Sequence, residues 1–302
     1  MTPSFPTHIG FPAPLLGDKA LRLRNLGHGE NWLLLEKPAG IVCDAHPWYP
    51  KKASLTEALR KQAIEHKGEL QPLWDKEIRS IFTIDQAMSG AIALSFGENA
   101  ASQWRDRFGS GLLKFKFLIL ALEAKPIESA LSSDLPILSD EGAPQCRISH
   151  RYGKKSFTQF KRLTQAPLPK GLYAKLSPIF NTPEALKFGL WEAETDYPRA
   201  HQIRLHAAES GILPLGEDFY TPHPFTLTLK DLNPKAQKGE VLTPLYPHVA
   251  VHLSAIEGLN ESPISIPLPK NLDAFIAKIL GRKNWADSMN LAPTHEEGSP
   301  SL

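Results

Sequence analysis

Short, strongly apolar runs alternate along the chain with polar, proline-rich connections, and the spacing of apolar positions changes from run to run. NWLLLEK (31–37) is a continuous apolar run. It predicts a buried strand that leads into the turn Pro38-Ala39-Gly40. In SLTEALRKQAIEH (54–66), Leu55, Leu59 and Ala63 recur at helical spacing, and Ser54 with Glu57 forms a capping-box signature. A short apolar strand is expected at 91–96 and a helix at 99–108. LLKFKFLILALE alternates at first and then becomes wholly apolar, as a buried strand does. Residues 125–145 read as loop. SFTQFKRL (156–163) and FGLWEAET (188–195) alternate as half-buried strands. AHQIRLHAAES (200–210) reads as a short helix closed by Gly211. Further strands are expected near 225–229 and 249–253, and a helix at 270–280.

Many strands with interspersed helices argue for an α+β domain. The expected organisation is an irregular Pro-rich arm at 1–17, one domain at 18–282, and a polar, mobile tail at 283–302. No internal repeat is present.

Composition narrows the function. The 302 residues carry a net charge of only +2, so this is no polybasic protein, and any nucleic-acid contact has to be concentrated in a cleft. Cys43 and Cys146 are the only cysteines and form no C-x-x-C pair, which disfavours structural zinc and a disulfide scaffold. The N-terminal stretch lacks a basic region followed by a long apolar run, so no signal peptide is expected. No 18-residue apolar run occurs, so no membrane span is expected either. A cytoplasmic monomer is the simplest expectation. His248 and His252 form H-x-x-x-H, but on a strand that offset separates them by about 13 Å, and no metal site is expected.

Three separated segments carry the candidate chemistry. The first is LLLEKPAGIV (33–42), the second FTIDQAMSG (82–90), and the third PRAHQIRLH (198–206) followed by GILPLGEDFY (211–220). In the second, Asp85 is the lone charge of its run. A carboxylate that must stay ionised in a closed site needs a cation beside it, and Arg204 offers a rigid fork for that purpose. On a helix, His201 and Arg204 share a face three residues apart.

The order and spacing of these segments resemble the RluA-type pseudouridine synthases over about residues 30–255. That family shows K-P-x-G, then H-R-L-D-x-x-T-S-G, then K-x-Y, then G-R-x-H-Q-I-R-x-H and G-D-x-x-Y. The resemblance implies a mixed, mainly antiparallel sheet with flanking helices and a central active-site cleft. It also implies isomerisation of uridine to pseudouridine in tRNA or rRNA, with no cofactor or metal. Asp85 takes the catalytic position and Arg204 that of its partner. Phe117, His201, Arg199 and Lys37 take positions expected to meet the substrate.

The chain departs from the pattern at several points. Phe117 stands for the K-x-Y tyrosine. It keeps a face for stacking uracil but lacks the hydroxyl. Phe82-Thr83-Ile84-Asp85 replaces H-R-L-D, which removes an arginine that engages the RNA. Met88 replaces the T-S-G threonine, Pro198 the glycine of G-R-x-H, and Glu217 the acid of G-D-x-x-Y. These departures keep a second expectation open, an RNA-binding or RNA-remodelling protein with impaired or no isomerase activity. A third is a hydrolase, which requires a second carboxylate, Glu217 or Asp218. Basic residues of the middle third, with HRYGKK (150–155) foremost, are candidates for an RNA groove.

Overall fold

A computed structural model of the chain describes residues 4–97, 102–140, 142, 144–180, 186–224, 226–233 and 243–291. The first sheet uses β1 (His8–Phe11), β2 (Leu21–His28), β3 (Trp32–Lys37), β4 (Ile78–Phe82) and β5 (Gly90–Phe96) in the order β1-β2-β3-β5-β4, with every pairing antiparallel. The run read as a buried strand, β3, takes a central place between β2 and β5, and Leu33, Leu34 and Leu35 are fully buried.

The second sheet is built on β6 (Lys114–Glu123), with β7 (Ala130–Ser133), β10 (Thr158–Pro167), β11 (Lys187–Thr195), β12 (Ile212–Pro214), β13 (Val251–Glu257) and β14 (Ile264–Ser265). A separate hairpin pairs β8 (Ile137–Ser139) with β9 (Cys146–Ile148). β6 bonds to β11, β13 and β12, so it has no free edge. Its sequence explains how it sits. Phe115, Phe117, Ile119 and Ala121 join a core shared with the first sheet. Leu118, Leu120 and Leu122 join a second core on the opposite face. A strand covered on both sides has to be apolar at every position, which is why the alternation stops at Leu118.

The helices are α1 (Leu55–Ile64), α2 (Ser102–Arg105), α3 (Lys170–Phe180), α4 (Gln202–Glu209), α5 (Leu229–Leu232), α6 (Lys270–Leu280) and α7 (Arg282–Leu291). The expected capping box is formed at α1: Ser54 Oγ accepts from the Glu57 N–H, and Glu57 Oε2 accepts from the Ser54 N–H. α6 buries Leu272, Phe275, Ile276 and Ile279 against the second core. The architecture is the mixed α+β arrangement expected, with antiparallel sheets.

Local expectations fail where short or polar segments are ordered by distant partners. The arm at 1–17 contains β1, which pairs with β2 in register Ile9 to Leu23. The loop expected at 125–145 contains β7 and β8. Near 225–229 no strand forms among the described residues; Thr228 instead caps α5 through Asp231. The tail expected from residue 283 continues as α7. There Trp285 is buried and its Nε1–H donates to Asp273 at 2.8 Å. Residues 292–302 of that tail, and 99–101 of the helix expected at 99–108, lie outside the described residues.

The two sheets meet at the head of β5. The Ser89 N–H donates to Val251 at 3.3 Å, and the Leu253 N–H donates to the Ser89 carbonyl at 2.9 Å. Gly90 follows with φ +150°, and a Cβ there would lie 2.5 Å from Leu253 Cβ. Only glycine admits this approach, so the S-G pair before β5 marks the seam.

Candidate active site

Asp85 lies in the turn between β4 and β5, and two lysine- and helix-borne devices hold that turn. Lys37 ends β3 directly opposite Gly90. Its Nζ donates to the carbonyls of Asp85 (2.7 Å), Gln86 (3.0 Å) and Met88 (2.6 Å). All three ammonium donors are thus spent on the turn, and the side chain is fully buried. Burial pulls the Lys37 pKa down to about 8, against the nearby Cys43 and Asp85, which favour its charge. Lys37 therefore positions the acid-bearing turn from within. The direct substrate contact expected of it is closed off by this burial.

The second device is the start of α4. His201 sits at its N-cap in the left-handed region (φ 57°, ψ 5°). Its backbone N–H donates to Asp85 Oδ1 at 3.0 Å, so the carboxylate caps a helix N-terminus, where negative charge is favoured. Each residue of H-Q-I-R-L-H then has its own task. The Gln202 amide donates to the Thr158 and Thr195 hydroxyls and the Phe157 carbonyl. His206 bonds Thr158 and Leu135, Ile203 enters the main core, and Leu205 packs against Ile137 and Cys146. Arg204 is left to face the acids.

Arg204 Nη1 lies 3.5 Å from Asp85 Oδ2, while its Nε and Nη2 donate to Glu217 at 2.6 and 2.7 Å. Side-chain exposure is 3% for Arg204, 9% for Asp85 and 0% for Glu217. Burial works against the guanidinium charge, but the Glu217 hydrogen bonds and the Asp85 and Glu217 carboxylates outweigh it and raise the Arg204 pKa further. Asp85 is the most exposed of the three. Glu217 also accepts the Phe219 N–H at 2.9 Å, and its side chain is fully buried, so it is turned away from solvent rather than offered as the second carboxylate that a hydrolase requires.

Aromatic rings pack around this centre. Phe219 and Tyr220 lie 5.5 and 5.4 Å from the Arg204 guanidinium. The His201 ring has Trp48 at 5.1 Å and Phe219 stacked at 6.1 Å. Because the Tyr220 oxygen accepts the Cys146 N–H, its own O–H is free to donate to His201 Nδ1. Burial lowers the His201 pKa, which suits a neutral, accepting imidazole. His201 thus acts through its backbone N–H and its packing.

Beside Asp85 opens a cleft of about 1180 Å³, lined among others by Thr83, Ala200, Arg199, Ala45 and Phe82. Thr83 precedes Asp85 by two residues and Ala200 precedes His201, so the cleft opens beside the turn that carries the acid, while Asp85 and Arg204 themselves lie behind its lining residues. Arg199 lines the cleft, with its Nε held by the Lys155 carbonyl at 2.8 Å. Phe117 does not line it. That ring is 1% exposed within the main core, opposite Ala193 and Leu253 on β11 and β13. The stacking partner expected at Phe117 is thus enclosed by the sheet. Of the basic residues expected to form a groove, Arg105 and Lys154 line the cleft, while Lys114 and Lys116 pair with Glu194 and Glu257 elsewhere.

An RNA pseudouridylate synthase family model matches residues 31–209, more than half of the chain. The chain belongs to this family. The match covers the three segments that carry the RluA-type resemblance up to the end of α4. Among solved structures, human RNA pseudouridylate synthase domain containing 4 superposes with a TM-score of 0.58 at 17% identity, covering 84% of this chain and 92% of that one. Human RNA pseudouridylate synthase domain containing 1 gives a TM-score of 0.47 at 17% identity, covering 82% and 83%. At such identity the first of these shows a shared fold. No curated protein sequence matches the chain.

The structure brings Asp85, Arg204 and His201, all legible as candidates in the sequence, together in space and places Arg199 on the wall of the adjoining cleft. The sequence reading missed the inward role of Lys37 and the pairing of Glu217 with Arg204. It also missed the 46–49 loop, whose Trp48 packs on His201 and whose Tyr49 phenol pKa is raised by burial and then by the Asp85 charge. The aromatic-rich HPWYP run was the available signal for that loop. Among the described residues, no three His, Cys, Asp or Glu side chains gather as metal ligands, and no helix is long and apolar enough to cross a membrane. His252 donates from Nε2 to Ile266 and accepts from Ser89 at Nδ1, so both its nitrogens are engaged.

Proposed function

We propose that this protein is an RNA pseudouridine synthase that isomerises uridine in tRNA or rRNA, with Asp85 as the catalytic carboxylate. One observation carries the reading: Asp85, 9% exposed in a turn beside the cleft, has one oxygen 3.5 Å from Arg204 and the other 3.0 Å from the His201 N–H. The target uridine leaves its stack to enter the cleft, at a cost of a few kcal/mol. The N1–C1′ bond breaks, the uracil turns, and a C5–C1′ bond forms. The C5 proton departs to solvent and N1 takes one up, so the nucleotide's composition is unchanged. Asp85, aimed by Arg204 and the His201 N–H, supplies the carboxylate that the ribose or the base meets during bond exchange. Arg204, anchored by Glu217, keeps that carboxylate in place.

RNA uniformly tritiated at uridine C5 tests the proposal. Wild type is expected to release tritium from cellular RNA, and Asp85→Asn is not. Equal release by both proteins would sink the assignment of Asp85. A second reading, RNA binding without isomerisation, is favoured by Phe117, which lacks a hydroxyl and is enclosed in the core. It predicts no release from any cellular RNA fraction.

A further inference from the structure

The cleft carries surface that bond exchange at one uridine does not use. Tyr152 and Tyr197 both line it, and they are 64% and 42% exposed. A guanidinium backs each ring, Arg151 at 5.0 Å from Tyr152 and Arg199 at 4.4 Å from Tyr197. Phe108, also on the cleft wall, packs against Tyr197 at 5.1 Å. The Lys155 carbonyl fixes Arg199 through its Nε, so the Tyr197–Arg199 couple is oriented before any ligand arrives. Among the described residues, Arg105, Lys154 and Arg199 have no carboxylate partner, although all three line the same cleft. Exposed rings, oriented guanidinium planes and unneutralised cations along one groove suit a ligand with flat, uncovered bases on an anionic chain.

A duplex does not answer that description. Its base faces are covered by their neighbours, and it offers a protein its phosphates, its 2′-hydroxyls and its groove edges. We infer that the cleft selects unpaired RNA, with the Tyr197–Arg199 and Tyr152–Arg151 couples stacking the bases that flank the target uridine. The substrate class is then a loop or single-stranded segment. The inference extends the isomerase reading by naming its substrate, but the strand preference is a binding property and is measured without turnover.

The test compares fluorescence anisotropy of a labelled oligouridylate with that of the same strand annealed to oligoadenylate. Wild type is expected to bind the single strand more tightly. Tyr197→Ala and Tyr152→Ala should each weaken single-strand binding by about 5- to 100-fold and leave duplex binding unchanged. Tyr197→Phe should retain the wild-type preference, because it keeps the ring, and urea midpoints equal to wild type show that these exposed substitutions leave the fold intact. Equal wild-type affinity for both forms overturns the inference, as does an alanine variant that loses nothing or loses both forms equally. Tritium release from cellular RNA is scored separately. Strand preference without release removes the isomerase and leaves this inference standing, and release without strand preference does the reverse.

Discussion

Replacing Glu217 with Gln changes one oxygen for an amide group and tests how the Asp85 partner is held. Glu217 accepts three hydrogen bonds, from Arg204 Nε and Nη2 and from the Phe219 N–H. Oε1 takes two of them and Oε2 one. A glutamine best keeps its oxygen at the Oε1 site, which turns its NH₂ group toward Arg204 Nε, donor against donor. One charge-assisted bond is lost, about 1.5–3 kcal/mol. Arg204, with 3% of its side chain exposed, then keeps only Asp85 as a charge partner. Breaking a buried pair in this way costs about 3–5 kcal/mol. With a urea slope of roughly 3 kcal/mol/M for a chain of this size, the midpoint should fall by about 1 M or more. The guanidinium also loses its aim toward Asp85, and kcat for tritium release should drop by about 10- to 100-fold, as small misplacements near reacting groups do. Urea unfolding followed by circular dichroism, together with steady-state release, measures both effects. A variant with the wild-type midpoint and the wild-type kcat refutes the view that Glu217 anchors Arg204.

Three further outcomes follow from the same geometry. Lys37 has a folded pKa of about 8 against an ordinary value of 10.5, so between those pH values the unfolded chain binds the proton that the folded chain has lost. Stability should therefore rise with pH across that window relative to Lys37→Met, by about 3 kcal/mol, read from paired urea midpoints. His252 is lowered by burial to about 4 from 6.5, so stability should fall as acid is added from pH 6.5 toward 4, and His252→Gln should flatten that limb. Gly90→Ala should destabilise the fold by more than about 2 kcal/mol, because the new methyl meets Leu253 at φ +150°; an unchanged melting temperature would contradict the tight seam.

What could be read from the sequence divides along the range of the forces involved. The capping box at Ser54 and the central runs of β3 and β6 are local patterns, and they appear where the periodicity put them. The approach of Asp85 to Arg204 was legible only because three separated segments fitted one family pattern, since no local signal joins residues so far apart. Glu217 was visible as a motif acid, but its bond to Arg204 depends on how the chain turns after β12, which no periodicity encodes. β1, β7 and β8, of four, four and three residues, are too short for their own pattern to show, and are strands because β2, β10 and β9 supply edges for them. Trp285 ordered a stretch whose polar composition argued for a tail.

The Asp85 turn is moored on two sides, by Lys37 from the first sheet and, through Ser89, by β13 from the second. Any sliding of one half of the molecule over the other is felt first at the acid. Changes that loosen the seam should silence chemistry while the protein still folds and still grips RNA. The β8–β9 hairpin and the 46–49 loop brace the centre from the other side, through the Cys146 N–H on Tyr220 and Trp48 on His201, so substitutions there should also reach the acid by way of the His201 ring.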